Sequence, residues 1–275
     1  MPPLDSGEAC QAATARLLGY HSSMSSQAIF KRCVTKAQRL LQGRLHCFDT
    51  VLPFVQGKAG LEVGGPSAVF QKKANLLPIY PEIGRLDNCD ISRSTTWATH
   101  SEKFLFDPNK SAGENIFCDG SDLSSLADRS YEFILSSHNL EHFANPVKAL
   151  KGWQRITTPD GALVLVLPHY RRTFDHRREP TPVSHMLADF EKDTGEDDLT
   201  HLPEILEKHD LSMDLPAGTP EAFRERSLAN YTNRCLHHHV FDETNSRELL
   251  ASVGMKVLAI ETAAPFHLFL LARMS

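Results

Sequence analysis

The sequence predicts a doubly wound, mostly parallel α/β sheet, and three observations carry that expectation. Strand-like and helix-like segments alternate from about residue 55 to 168, the pattern of parallel strands joined by crossovers. Ala162–Leu167 is almost wholly apolar, as a central strand buried on both faces requires. Met255–Thr262 and Phe266–Ala272 form a closing strand pair whose turn, containing Pro265, is too short for a parallel crossover, so this pair is antiparallel.

In order, apolar residues at helical spacing predict helices over Glu8–Leu18 and about Ser26–Leu41, an N-terminal helical cap drawn over residues 1–54. Gly60–Gly65 is the first strand. Pro66–Ala74 follows as a short helix, and Arg85–Ile91, Asn115–Cys118 and Tyr131–Ser136 are the next strands. Asn145 then caps a helix with Pro146 at its first position, running to Ile156. Pro159-Asp160-Gly161 breaks the chain before the fifth strand. Residues 169–242 form a polar insertion with short helices near 182–192, 200–210 and 220–229. Glu243–Val253 is the last helix, with Gly254 at its end. The core is therefore 55–168 with 243–275, and the insertion covers it as a lid.

Composition narrows the functions available. With 275 residues the chain can bury a large core. A net charge of −5 and a pI near 6.3 supply no global basic field for nucleic acid or anionic lipid. No apolar run reaches membrane-spanning length, and the start of the sequence lacks the order of a signal peptide. Six scattered cysteines without a CxxC pair read as reduced thiols of a cytoplasmic protein. Oligomeric state has no signature in the sequence.

In a doubly wound sheet, ligands bind beyond the carboxyl ends of the strands. Glu62, Asp90, Asp119, Ser136 and His138 stand at or just after such ends and so share one edge. Gly64 and Gly65 let the backbone turn sharply and approach a ligand without a Cβ between them.

Three passages resemble one family. Leu61-Glu62-Val63-Gly64-Gly65 is an acidic residue followed by a glycine turn. Cys118-Asp119-Gly120-Ser121 leads through Ser130 to Ile134. His138-Asn139-Leu140-Glu141-His142 is followed by Asn145-Pro146, Arg155-Ile156 and Pro159-Asp160-Gly161. Together these resemble class I S-adenosylmethionine-dependent methyltransferases, in the Leu-Glu-His group of methyltransferase type 11-like proteins. The likeness covers about 55–168 and 243–274 and implies a seven-stranded Rossmann-like methyltransferase fold. The glycines are adjacent here, where the family commonly alternates them, and Glu62 lies further from Asp90 than usual.

The resemblance implies S-adenosylmethionine as cofactor. Gly64, Gly65 and Pro66 would meet its amino acid part, with Glu62 accepting hydrogen bonds there. Asp90 would hold the ribose hydroxyls. Asp119 would accept from the adenine amino group, with Gly120 and Ser121 offering backbone N–H, and Ser137 and His138 would complete the edge. An SN2 methyl transfer to a small-molecule O or N acceptor needs an aligned nucleophile and a base. His138 and His169, each directly after a strand, are the catalytic candidates. His142, Tyr170, Asp175, His176, Arg177 and His185 are the acceptor-side candidates, and the four arginines of 171–178 could clamp an anionic acceptor.

The insertion reads two ways. His185 and Asp189 at i, i+4, with His201 and Glu204 at i, i+3, could bind a divalent metal. The plainer reading is a salt-bridged lid and assigns no metal. In His237-His238-His239 a strand would put His237 and His239 on one face and His238 on the other. Two rival functions stay open: an S-adenosylmethionine-binding enzyme of other, metal-assisted chemistry, and a non-catalytic methyltransferase-like regulatory protein.

Overall fold

The computed structural model describes residues 43–96, 99 and 101–274. The two helices expected over Glu8–Leu18 and Ser26–Leu41 lie outside the described residues.

Helix α1 (Phe48–Val55) precedes β1 (Ala59–Val63). Then come β2 (Arg85–Asp90), β3 (Lys103–Phe104), β4 (Gly113–Phe117), β5 (Tyr131–Ser137), α2 (Pro146–Ile156) and β6 (Thr157–Pro168). The insertion carries α3 (Val183–Glu191), α4 (Leu202–Lys208), α5 (Pro220–Leu228) and α6 (Asn230–Asn233). Helix α7 (Glu243–Ser252) leads to β7 (Lys256–Ala263) and β8 (His267–Arg273). The strands form one sheet in the order β3-β4-β2-β1-β5-β6-β8-β7. Strands β4, β2, β1, β5 and β6 are mutually parallel. Strand β8 runs antiparallel to both β6 and β7, as its short turn requires. No helix among the described residues is long and apolar enough to cross a membrane.

The sheet has eight strands rather than the seven expected. The addition is β3, two residues antiparallel to β4 through Lys103↔Glu114 and Phe104↔Gly113. A two-residue strand is too short to show a period-2 pattern, and only Phe104 is buried.

Both sheet faces are covered, and the alternation along the central strands shows how. Leu163, Leu165 and Leu167 of β6 and Ile134 of β5 join one cluster with Val147, Leu150 and Trp153 of α2 and Leu249 and Leu250 of α7. Val164, Val166, Phe133 and Leu135 face the other way, against Phe48, Val51 and Val55 of α1. Helix α1 thus lies on the core although its residues fall mostly within the span drawn for the N-terminal cap. The short helix expected over Pro66–Ala74 is absent. Two 3-10 turns, Ala68–Phe70 and Lys72–Ala74, stand there. The loop curls back through Leu77 N–H to the Val69 carbonyl and lays Phe70, Leu77, Ile79, Tyr80 and Ile83 on the α1 face. Its buried positions are too closely spaced for one helical stripe.

The insertion has a small core of its own, built from Leu202, Ile205, Ala217, Phe223 and Leu236. Asn145 ties it to the sheet. Its side-chain oxygen caps α2 by accepting from Lys148 N–H at 3.0 Å, and its Nδ2 donates to the Asp189 carbonyl at 3.2 Å. Asn145→Ala removes both bonds at a buried position. The expected loss is about 1–2 kcal/mol of unfolding free energy, read as a lowered urea midpoint.

Candidate active site

The glycine turn after β1 is built around Glu62. This carboxylate is fully buried beneath the turn, where Oε1 accepts from Ser67 N–H at 3.1 Å and Oε2 accepts from the Tyr80 hydroxyl at 2.6 Å. Burial pushes its pKa up to about 7 against the lowering effect of those bonds. A Cβ on Gly65 would lie 2.4 Å from the Glu62 carboxyl carbon, so glycine is required there by the acid. Gly64 adopts φ +82°, natural for a residue without a side chain. The Gly64 N–H is taken by the Cys89 carbonyl and the Gly65 N–H by Asn88 Oδ1. Glu62 therefore braces the turn with both oxygens engaged, by Ser67 N–H and the Tyr80 hydroxyl. Gly64 and Pro66 are the exposed residues of Val63–Ser67, at the sheet edge.

Asp90 ends β2, pairing in register with Phe117, and its Oδ1 accepts from Ile91 N–H at 2.7 Å. Beyond β4, Asp119 Oδ1 accepts from Ser121 N–H and Oγ, at 2.9 and 2.7 Å. Its Oδ2 meets Arg234 of the lid at 2.8 Å, and Arg234 also pairs with Glu196 at 2.6 Å. Burial raises Glu196 to about 7 despite that arginine. The carboxylate assigned from sequence to an adenine is thus held by a lid cation. Gly120 is closed in from below: a Cβ there would stand 2.7 Å from Val63 Cγ1, and its carbonyl accepts from Trp153 Nε1 at 2.8 Å.

At the end of β5, next to β1 and beside Ser137, the chain turns through His138 at φ +52°. His138 Nε2 meets His267 Nδ1 at 2.7 Å, and Nδ1 lies 3.8 Å from Glu141 Oε1. Burial, then the neighbouring His267, His237 and His142, hold His138 well below the usual histidine pKa. Glu141 is buried, its Oε2 accepts no hydrogen bond, and burial raises it to about 7. Its neighbour His142 donates from Nδ1 to the Leu236 carbonyl (2.9 Å) and is lowered by burial to about 3. The lid closes this cluster with His237, whose Nδ1 lies 2.6 Å from Asp175 Oδ2. Although burial alone would raise Asp175, His237 and Arg178 bring it down to about 2.

Several sequence expectations separate here. His169 turns to Glu243, Nε2 to Oε2 at 3.0 Å, and stacks on Tyr170. Tyr170 accepts from Arg171 Nε. His176 and Arg177 both reach Asp210, and Arg178 holds Asp175, so these side chains have partners within the insertion. His185 joins a separate lid cluster. The three consecutive histidines do not form a strand: His237 goes to Asp175, His238 Nε2 to Asn230, and His239 Nε2 to the Ala144 carbonyl. Of the predicted residues the structure brings together His138, His142 and Asp175, and it adds Glu141, His267 and His237. Glu141 was visible as the one acid between two histidines. His267, 129 positions from His138 in the chain, carried no local signal.

Residues 84–165 match the model of a family described as methyltransferase domain. No curated protein sequence matches the chain. Among solved structures, an S-adenosylmethionine-dependent methyltransferase from Mesorhizobium loti is 14% identical, over 82% of this chain and 95% of that one, with a TM-score of 0.48. One from Aquifex aeolicus is 13% identical, covering 83% and 89%, with a TM-score of 0.45. One from Methanosarcina mazei is 14% identical, covering 82% and 96%, with a TM-score of 0.41. The family match runs from just before β2 into β6, strands whose carboxyl ends, with that of β1, form the edge where these residues gather.

Proposed function

We propose that this protein is an S-adenosylmethionine-dependent methyltransferase acting on a small-molecule oxygen or nitrogen acceptor. The observation that carries the reading is the cluster of His138, His267 and Glu141 at the end of β5, on the same edge as the exposed Gly64–Pro66 turn and Asp90. The edge suits the cofactor: Gly64 and Pro66 offer a surface without a bulky side chain, and Asp90 offers a carboxylate for paired hydroxyls. When bound, S-adenosylmethionine supplies an electrophilic methyl group on sulfur.

Methyl transfer leaves the acceptor with a proton to lose. His138 and His267 share a hydrogen bond, and burial keeps His138 neutral, so a proton taken at one ring can be passed to the other. Glu141, held near pKa 7 with an unpartnered oxygen, is a second base poised at neutral pH. The lid residues His237, Asp175 and Arg178 fix the side of the cluster away from the sheet and exclude water from it.

Calorimetric titration with S-adenosylmethionine and S-adenosylhomocysteine tests the reading. Binding of both is expected, weakened by Asp90→Ala. Absence of binding at millimolar ligand overturns it. Binding without turnover across a panel of small O and N acceptors favours instead a methyltransferase-like regulatory protein, the alternative that the irregular glycine turn motivates.

A further inference from the structure

Away from the strand-end cluster, four lid side chains converge without an evident structural reason. His185 and Asp189 lie one turn apart on α3, His201 immediately precedes α4, and His239 sits on the loop that returns to the sheet. One donor atom from each falls within 4.8 Å of all the others. His185 Nε2 is 3.1 Å from His201 Nε2 and 3.3 Å from Asp189 Oδ2, and His239 Nε2 is 3.8 Å from the same oxygen.

A salt-bridged lid does not account for this arrangement. Asp189 Oδ2 is buried and accepts no hydrogen bond, although three imidazoles surround it. Imidazoles and a carboxylate with a free lone pair are what a borderline divalent cation takes as ligands. The spacing agrees. With zinc–nitrogen bonds of about 2.0–2.1 Å, donor atoms of a tetrahedral set stand about 3.3 Å apart.

We propose that His185, Asp189, His201 and His239 form a zinc site that staples the lid. Three imidazoles and one carboxylate fill a tetrahedral shell, so the ion is structural and has no open position for a substrate. His239 completes the set by moving its proton to Nδ1, ending its bond to the Ala144 carbonyl. The outer support is present: Asp189 Oδ1 accepts from Thr194 Oγ1 at 3.3 Å, and Asn145 holds the Asp189 carbonyl. His185, the exposed member, opens the site to solvent and gives the ion an entry path. The sequence reading that assigned no metal to the insertion is revised accordingly. The inference stands apart from methyl transfer, because metal content is read without an activity.

The test uses the full chain. Elemental analysis after growth with added zinc should find about one zinc per chain. Competition with a chromophoric chelator should show the His185→Ala/His201→Ala variant binding zinc at least about 100-fold more weakly. Cobalt(II) in the wild-type protein should give the intense visible bands of a tetrahedral site, a readout that survives even if the variant does not fold. Wild-type protein that takes up neither metal, cobalt spectra of octahedral intensity, or a folded double variant that keeps its zinc would each overturn the proposal.

Discussion

Replacing Arg178 with alanine is expected to lower the unfolding free energy by about 3–5 kcal/mol, the cost of breaking a buried ion pair from one side. Arg178 is 1% exposed. Its guanidinium donates to Asp175 Oδ1 at 3.1 Å, to the carbonyls of His237 and His238 at 2.8 and 3.0 Å, and towards Glu204 Oε2 at 3.4 Å. Truncation leaves a buried carboxylate and two backbone acceptors without their cation, which is a larger penalty than the pair's net worth. Lysine does not rescue it, since a single ammonium cannot reproduce the planar fork. Combining Arg178→Met with Asp175→Asn should recover a good part of the loss, because no charge is then left alone. Urea unfolding of the four proteins measures this. A single-variant loss below about 1 kcal/mol would show that the lid network is looser than its geometry, and with it the shielding of the Glu141 cluster.

Much of the fold was legible because it rests on periodicity and turn chemistry. The apolar run of β6, the Asn145-Pro146 cap and the three short lid helices all stand close to where the pattern places them. What was not legible depends on partners distant in the chain. Nothing near Pro66 says that Glu62 will fold under the turn and that Tyr80 will bond to it, so the helix signal there misleads. The same holds for the site. Asp119 reads as a strand-end acid, but its partner Arg234 lies 115 positions away. The arginines of 171–178 look available to an anion until Asp175 and Asp210 are seen to take Arg178 and Arg177. Residue type gave the edge, while the pairings across the lid came from tertiary structure alone.

Glu141→Gln is expected to raise stability at pH 8 by up to about 3 kcal/mol and to leave it nearly unchanged near pH 4.5. The sign follows from the direction of the shift. Burial raises the folded pKa of Glu141 from 4.5 to about 7. Between those values the folded state holds a proton that the unfolded chain has released, so stability falls as pH rises across this window. Glu62 and Glu196, also raised to about 7 by burial, act in the same direction. His142, lowered to about 3, and His138, lowered well below 6.5, act oppositely: their contribution is complete above 6.5 and is lost as pH falls. The two sets oppose each other between 4.5 and 6.5. Below 4.5 the glutamates no longer differ between states, while the histidines and Asp175, lowered to about 2, still lose stability as pH falls, so acid loss should steepen there. Urea midpoints across this pH range, for wild type, Glu141→Gln and His142→Asn, give the slopes. Glutamine removes the charge without changing the shape, and so spares the ionised state its unpartnered oxygen. The same change should abolish proton acceptance at that position once an acceptor is in hand. A Glu141→Gln protein that is less stable than wild type at pH 8 would mean that Glu141 is an ordinary ionised carboxylate, satisfied by its neighbours, and would withdraw it as a base.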